Sequence, residues 1–119
     1  MKVAITVQGT RLQDPIDPRF GRARAFVIAD TETGITEARD NAVNLNTAQG
    51  AGVQAGQQIA QAGVSAVITG HVGPKAFRTL DAAGIEIYLA TSGTAAEAWQ
   101  RFLRKELPRQ TTAHVEDHG

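Results

Sequence analysis

The sequence predicts an α/β domain whose sheet is mostly parallel. Two observations carry this. In the second half of the chain, short β-branched runs alternate with stretches of helical periodicity, as in strand–helix crossovers. In the first half, Thr31-Glu32-Thr33-Gly34 follows an apolar run and reads as a hairpin turn, which brings in one antiparallel strand. The resulting order is β-β-β-α-β-α-β-α.

Each element has a local reason. Lys2 to Val7 sets β-branched Val3, Ile5 and Val7 between small or polar residues, a first strand. Gly9 to Gly21 is polar and broken by Pro15 and Pro18, a long loop. Ala25 to Asp30 is a second apolar run, and Ile35 to Arg39 is the short strand returning from the turn. Residues 40–49 are polar and Asn-rich, a further loop. Gly50-Ala51-Gly52 opens a helix with Val53, Gly56, Ile59 and Ala60 on one face and Gly63 as its stop. Ala66 to Thr69 is the fourth strand. Pro74 to Ala83 is the second helix, with Phe77 and Leu80 inward and Gly84 past its end. Ile85 to Ala90 is the fifth strand. Thr94 to Leu107 is the third helix, striped by Ala95, Ala98, Trp99, Phe102 and Leu103; Thr94 and Glu97 fit a capping box, and Pro108 ends the run. One domain is expected over 1–107, followed by a polar, mobile tail over 108–119.

Composition narrows the function. Lys+Arg and Asp+Glu are both 12, so the basic excess of a general nucleic-acid binder is missing. No apolar run is long enough to cross a membrane. Met1-Lys2-Val3-Ala4-Ile5 enters a strand without a signal-peptide core, so a cytoplasmic protein with no nucleic-acid or membrane partner is expected. There is no cysteine, which excludes disulfides and thiolate ligation of a metal. No nucleophile–base arrangement is visible, and no enzyme is expected.

The strand-to-helix turn at Gly70-His71-Val72-Gly73-Pro74-Lys75 is the most informative segment. An apolar β-branched run stops at a glycine, and proline stands at the first helical position. Such a turn offers backbone N–H groups, the positive end of a helix dipole and a lysine, a combination suited to an anion. Its spacing is not that of a Walker loop. Ligands of open α/β sheets bind where loops leave the C-terminal strand ends. Four segments are expected to gather there: the loop after the first strand with Arg11, Arg19 and Arg22; the stretch Asn46–Gly52 with Gly50, Ala51 and Gly52; the Gly70–Lys75 turn; and Thr91-Ser92-Gly93-Thr94.

Asp17-Pro18-Arg19-Phe20-Gly21-Arg22-Ala23, then Gly50-Ala51-Gly52, then Gly70-His71-Val72-Gly73-Pro74-Lys75-Ala76-Phe77 resemble the family that binds the iron–molybdenum cofactor of nitrogenase. The resemblance covers roughly residues 1–105. It implies a ribonuclease H-like three-layer fold, with a mixed five-stranded sheet in the order 3-2-1-4-5, strand two antiparallel and helices on both faces. It also implies binding or carriage of a molybdenum-containing metal–sulfide cluster during cofactor assembly, with an assembly protein or operon-encoded complex as partner. The lack of cysteine resembles the orange-protein branch, known for a molybdenum–copper sulfide cluster held without ordinary protein ligation. Members commonly carry His where this chain has Arg19, which points away from direct coordination and towards electrostatic capture. Arg11, Arg19, Phe20, Gly21, Arg22, Gly50, Ala51, Gly52, Gly70 to Lys75, Ser92, Gly93 and Thr94 are the candidate binding residues on this reading.

Some residues admit two readings. His71 could ligate copper or iron, or only line the turn. Phe20 is a pocket wall or a loop anchor. His114 and His118, four apart, read as part of a solvated tail, and Trp99 with Phe102 as core. Two other functions compete. A ribonuclease H-like nuclease would need a carboxylate on the first strand, and Lys2 to Val7 carries none. An interaction or regulatory module of the same fold that has lost cluster binding is the other, favoured by Arg19 in place of His.

Overall fold

A computed structural model describes residues 1–41 and 50–112. Among these described residues, six strands and three α-helices follow in the order β1 (Lys2–Val7), β2 (Ala25–Asp30), β3 (Thr36–Asp40), α1 (Ala51–Gln61), β4 (Val64–Thr69), α2 (Pro74–Ala82), β5 (Glu86–Leu89), α3 (Ala95–Leu103) and β6 (Arg109–Gln110). A 3-10 turn at Phe20–Arg22 interrupts the first loop. The sheet runs β3-β2-β1-β4-β5-β6. β1, β4 and β5 are parallel to one another, while β2 pairs antiparallel with both β1 and β3.

The sheet therefore has six strands, not the five expected. Arg109 and Gln110, assigned from sequence to the tail, pair antiparallel with Tyr88 and Ile87 of β5. The third helix also stops at Leu103 rather than running to Leu107. Lys105 takes φ 59°, its N–H bonds to the Phe102 carbonyl, and the Glu106 N–H bonds to that of Arg101. This is a Schellman ending built on lysine, where sequence reasoning looks for glycine. It releases Leu107 into the core and delivers Pro108, whose carbonyl accepts from Leu89 N–H and starts β6.

Side-chain alternation sorts the core into two layers. Val3, Ile5 and Val7 of β1 and Val27 of β2 pack with Ala95, Ala98 and Trp99 of α3 on one face. Ala4, Phe26, Ile28 and Val67 pack with Ile59 of α1 and Leu80 of α2 on the other. Helices thus cover both faces. α1 and α2 approach closely because their contact is made of small residues: a Cβ on Gly52 would stand 2.8 Å from that of Ala76, and one on Gly56 would stand 3.0 Å from Thr79 Cγ2.

Candidate anion-binding edge

The first loop is fastened across the sheet edge by Thr6 and Asp17. Thr6 is fully buried on β1, and its hydroxyl donates to the Asp17 carbonyl at 2.6 Å and lies 2.8 Å from Thr69 Oγ1 on β4. The Asp17 N–H returns to the Thr6 carbonyl at 2.9 Å. These bonds carry Pro18 over the end of β4. A Cβ on Gly70 would lie 2.3 Å from the Pro18 carbonyl oxygen, so glycine alone permits the approach. Two residues on, Phe20 is buried against Phe26, with ring centroids 5.8 Å apart, and shares the α1/α2-side core with Val72. Phe20 therefore anchors the loop to this core.

Gly21 makes the second junction. A Cβ there would stand 2.5 Å from Gly52 N, 2.8 Å from Gly52 Cα and 2.9 Å from the Ala51 carbonyl carbon. The 3-10 turn therefore sits directly on the first turn of α1. Through these two contacts the segments at 17–22, 50–52 and 70–75 meet at one edge. Three motifs far apart in sequence are brought together where the C-terminal ends of β1 and β4 diverge to different neighbours.

An open basin of about 480 Å³ lies on this edge, lined by Gln8, Asp17, Arg19, Arg22 and Arg24. Asp17 is 2% exposed, and its carboxylate accepts from Arg19 N–H at 2.9 Å, Nε at 3.0 Å and Nη2 at 2.9 Å. This clamp holds the guanidinium in one orientation, and the carboxylate beside it raises the Arg19 pKa above its usual value. Arg19 thus serves as a fixed donor whose charge is offset. Arg24, which sequence reasoning did not name, adds a third guanidinium; its contact with Asp40 is long, at 3.8 Å. Its place at the start of β2, antiparallel to β1, was the available signal.

The helix ends differ in what they offer. At α2, Gly73 is the N-cap and Pro74 lacks an N–H, and the N–H groups of Lys75 and Ala76 have no hydrogen-bond partner among the described residues. Val72 is different, because its N–H is taken by Gln110 Oε1 at 2.9 Å. At α1, Gly50 is a left-handed N-cap, Ala51 is buried, and Gly21 roofs the amide of Gly52. That end contributes its dipole more than open donors. His71, Gly73, Pro74 and Lys75 are exposed. Among the described residues no group of three His, Cys, Asp or Glu is arranged to hold a metal.

Two expected components lie elsewhere. The N-terminus of α3 is already capped: Thr94 N–H donates to Glu97 Oε1, Ala95 N–H to the Asp14 carbonyl, Ala96 N–H to that of Leu12, and Glu97 N–H to Thr94 Oγ1. No donor of that first turn remains for a ligand. The Gly93 carbonyl likewise accepts from Ile16 N–H, and Ser92 is exposed. These bonds tie the first loop to α3 on the opposite face of the sheet. Arg11 lines a separate depression with Leu12, Val27 and Glu37. Asn46, His114 and His118 lie outside the described residues. No helix among the described residues is long and apolar enough to cross a membrane.

The sequence profile of the dinitrogenase iron-molybdenum cofactor family matches residues 1–105. The structure superposes on the apo orange protein from Desulfovibrio gigas with a TM-score of 0.91 at 40% identity, covering 96% of each chain. A Thermotoga protein whose name links it to NifB matches with a TM-score of 0.85 at 37% identity over 98% of each chain. An uncharacterized protein from Methanocaldococcus jannaschii is 33% identical over 113 residues, 92% of this chain and 91% of its own.

Proposed function

The chain belongs to the dinitrogenase iron-molybdenum cofactor family, and on that premise we propose that it binds an anionic, molybdenum-containing metal–sulfide cluster as carrier, store or assembly platform. The observation carrying this reading is the convergence of three motifs at one sheet edge, through Gly21 on Gly52 and Gly70 on Pro18. The cluster is cargo. Its sulfides would accept hydrogen bonds from the outer guanidinium N–H groups of Arg19, from Arg22 and Arg24, and from the Lys75 ammonium and the Lys75 and Ala76 amides. With no cysteine in the chain, the grip rests on charge, amides and shape. His71, exposed on the turn, is the side chain there that could ligate copper or iron.

The molybdenum–copper sulfide type is the cargo this reading favours, because the resemblance to orange proteins is supported by the 40% identity over nearly the whole chain. Iron–molybdenum cofactor is the alternative, and a cofactor-assembly protein would deliver or receive either. The ribonuclease H-like description fits the 3-2-1-4-5 part of the sheet, with β6 as an edge addition. The offset charge of Arg19 favours a second reading, an interaction module that no longer holds a cluster. Reconstitution separates the two. Tetrathiomolybdate with copper, or isolated iron–molybdenum cofactor, should give a coloured complex with stoichiometric molybdenum after gel filtration. Colourless, molybdenum-free protein with either guest refutes cluster binding.

A further inference from the structure

Gln110 is 7% exposed on a strand of only two residues, and its side chain leaves β6 to reach a turn 38 residues earlier. Its Oε1 accepts from Val72 N–H at 2.9 Å, and its Nε2 donates to the Val72 carbonyl at 2.9 Å and to the Thr112 carbonyl at 2.8 Å. One primary amide thus satisfies both backbone groups of Val72, as a neighbouring strand would. Val72 is 2% exposed, so neither group has ready access to water. The turn is held on either side by other means: Gly70 is pressed on Pro18, and Gly73 caps α2. Its middle residue is held by Gln110.

We infer that Gln110 is a positioning residue for the anion-binding edge. It sets the path of Val72-Gly73-Pro74, and thereby the aim of the Lys75 and Ala76 amides and of the Lys75 side chain. The C-terminal strand β6 is then part of the site's framework. Only a side-chain amide both donates and accepts in this geometry. Glutamate keeps the acceptor for Val72 N–H and loses the donor, and methionine keeps the volume and loses both.

The inference rests on the cluster-binding reading, and the test distinguishes their failures. Wild type, Gln110→Met, Gln110→Glu and a stability control on the opposite face, Ala98→Gly, are titrated with tetrathiomolybdate plus copper. Amide exchange of Val72 is followed on the same apo-proteins. Gln110→Met should speed Val72 exchange, weaken uptake about tenfold and shift the visible absorption of the bound complex, a tenfold change being about 1.4 kcal/mol. Gln110→Glu, whose carboxylate turns an acceptor onto the Val72 and Thr112 carbonyls, should speed Val72 exchange at least as much, and serves alone through that exchange if the methionine variant does not fold. Ala98→Gly should lower the melting temperature and leave affinity and spectrum unchanged. Wild-type affinity and spectrum in a folded Gln110 variant, or unchanged Val72 exchange, overturn the inference. A wild-type chain that takes up no guest overturns the underlying reading instead, and the exchange data then show whether Gln110 holds the turn.

Discussion

Gly21→Ala tests the architecture of the edge directly. Gly21 is not among the residues with positive φ, so the substitution adds no backbone strain of its own. Its entire effect comes from a methyl group placed 2.5 Å from Gly52 N, 2.8 Å from Gly52 Cα and 2.9 Å from the Ala51 carbonyl carbon. All three are backbone atoms of the first turn of α1, so no side chain can rotate away. Ordinary contact begins near 3.4 Å, which requires the 3-10 turn to lift by most of an ångström. Phe20, buried one residue before, resists that movement. Overpacking of this kind costs about 2 kcal/mol, or about 8 °C in melting temperature for a domain of this size. Because lifting residues 20–22 separates the arginine basin from α1 and the Gly70 turn, uptake of tetrathiomolybdate and copper should fall about tenfold at a temperature where the variant is folded. Gly34→Ala is the control. It has φ +73° and nothing within 4 Å, so it should cost about 1 kcal/mol through backbone strain alone and leave uptake unchanged. Calorimetry and gel-filtered molybdenum content decide the matter. A Gly21→Ala protein that melts within about 2 °C of wild type and loads normally would show that the two segments do not press on one another.

Arg22→Glu with Arg24→Glu should abolish uptake with little change in melting temperature, since both side chains are exposed, and wild-type uptake should weaken as salt is raised. Thr94→Ala removes the capping box of α3 and should cost about 1 kcal/mol in thermal stability; uptake should be unaffected, because α3 packs on the face of the sheet opposite α1 and α2 and the donors of its first turn are already used. Stability should also fall in acid. The Thr94 N–H and hydroxyl hold the Glu97 carboxyl below its usual 4.5, and the Thr10 and Arg11 N–H groups hold Asp14 below 3.8. Folded values below unfolded ones give stability that is complete above those pH values and is lost as pH falls through the folded ones. Melting curves between pH 6 and pH 2 should therefore show a smaller acid loss for Glu97→Gln than for wild type.

The fold was legible wherever a local rule decided it. Alternating Val3, Ile5 and Val7, the helix stops at Gly63 and Gly84, and the Thr94–Glu97 box each act within a few residues, and each stands where it was read. The end of α3 was not legible, because its left-handed position is occupied by Lys105, and what holds it there is Leu107 reaching the core. β6 was missed for a related reason. Two residues give no periodicity, and the strand exists through β5 and through the grip of Gln110 on Val72.

The site divides along the same line. Glycines and arginines identify segments rich in potential donors, but composition does not say which donors are already used. The amides at 94–97 looked equivalent to those at the start of α2. In the folded chain the Ala95 and Ala96 amides fasten the loop at Asp14 and Leu12 onto α3 and those of Thr94 and Glu97 close the capping box, while the amides of Lys75 and Ala76 have no partner among the described residues. Arg19 and Arg22 looked equivalent as cations, and only the fold places a buried carboxylate against the first. The functional weight of a glycine was also decided at a distance. Gly21, Gly52 and Gly70 have room for nothing larger because of Gly52, Ala76 and Pro18 respectively, whereas Gly73, in the middle of the most informative motif, has open space around its Cα. A methyl group at Gly73 should therefore be tolerated, although the motif reads as strict at that position. The motif is held together by contacts between its pieces, and those contacts define the edge on which the charge collects.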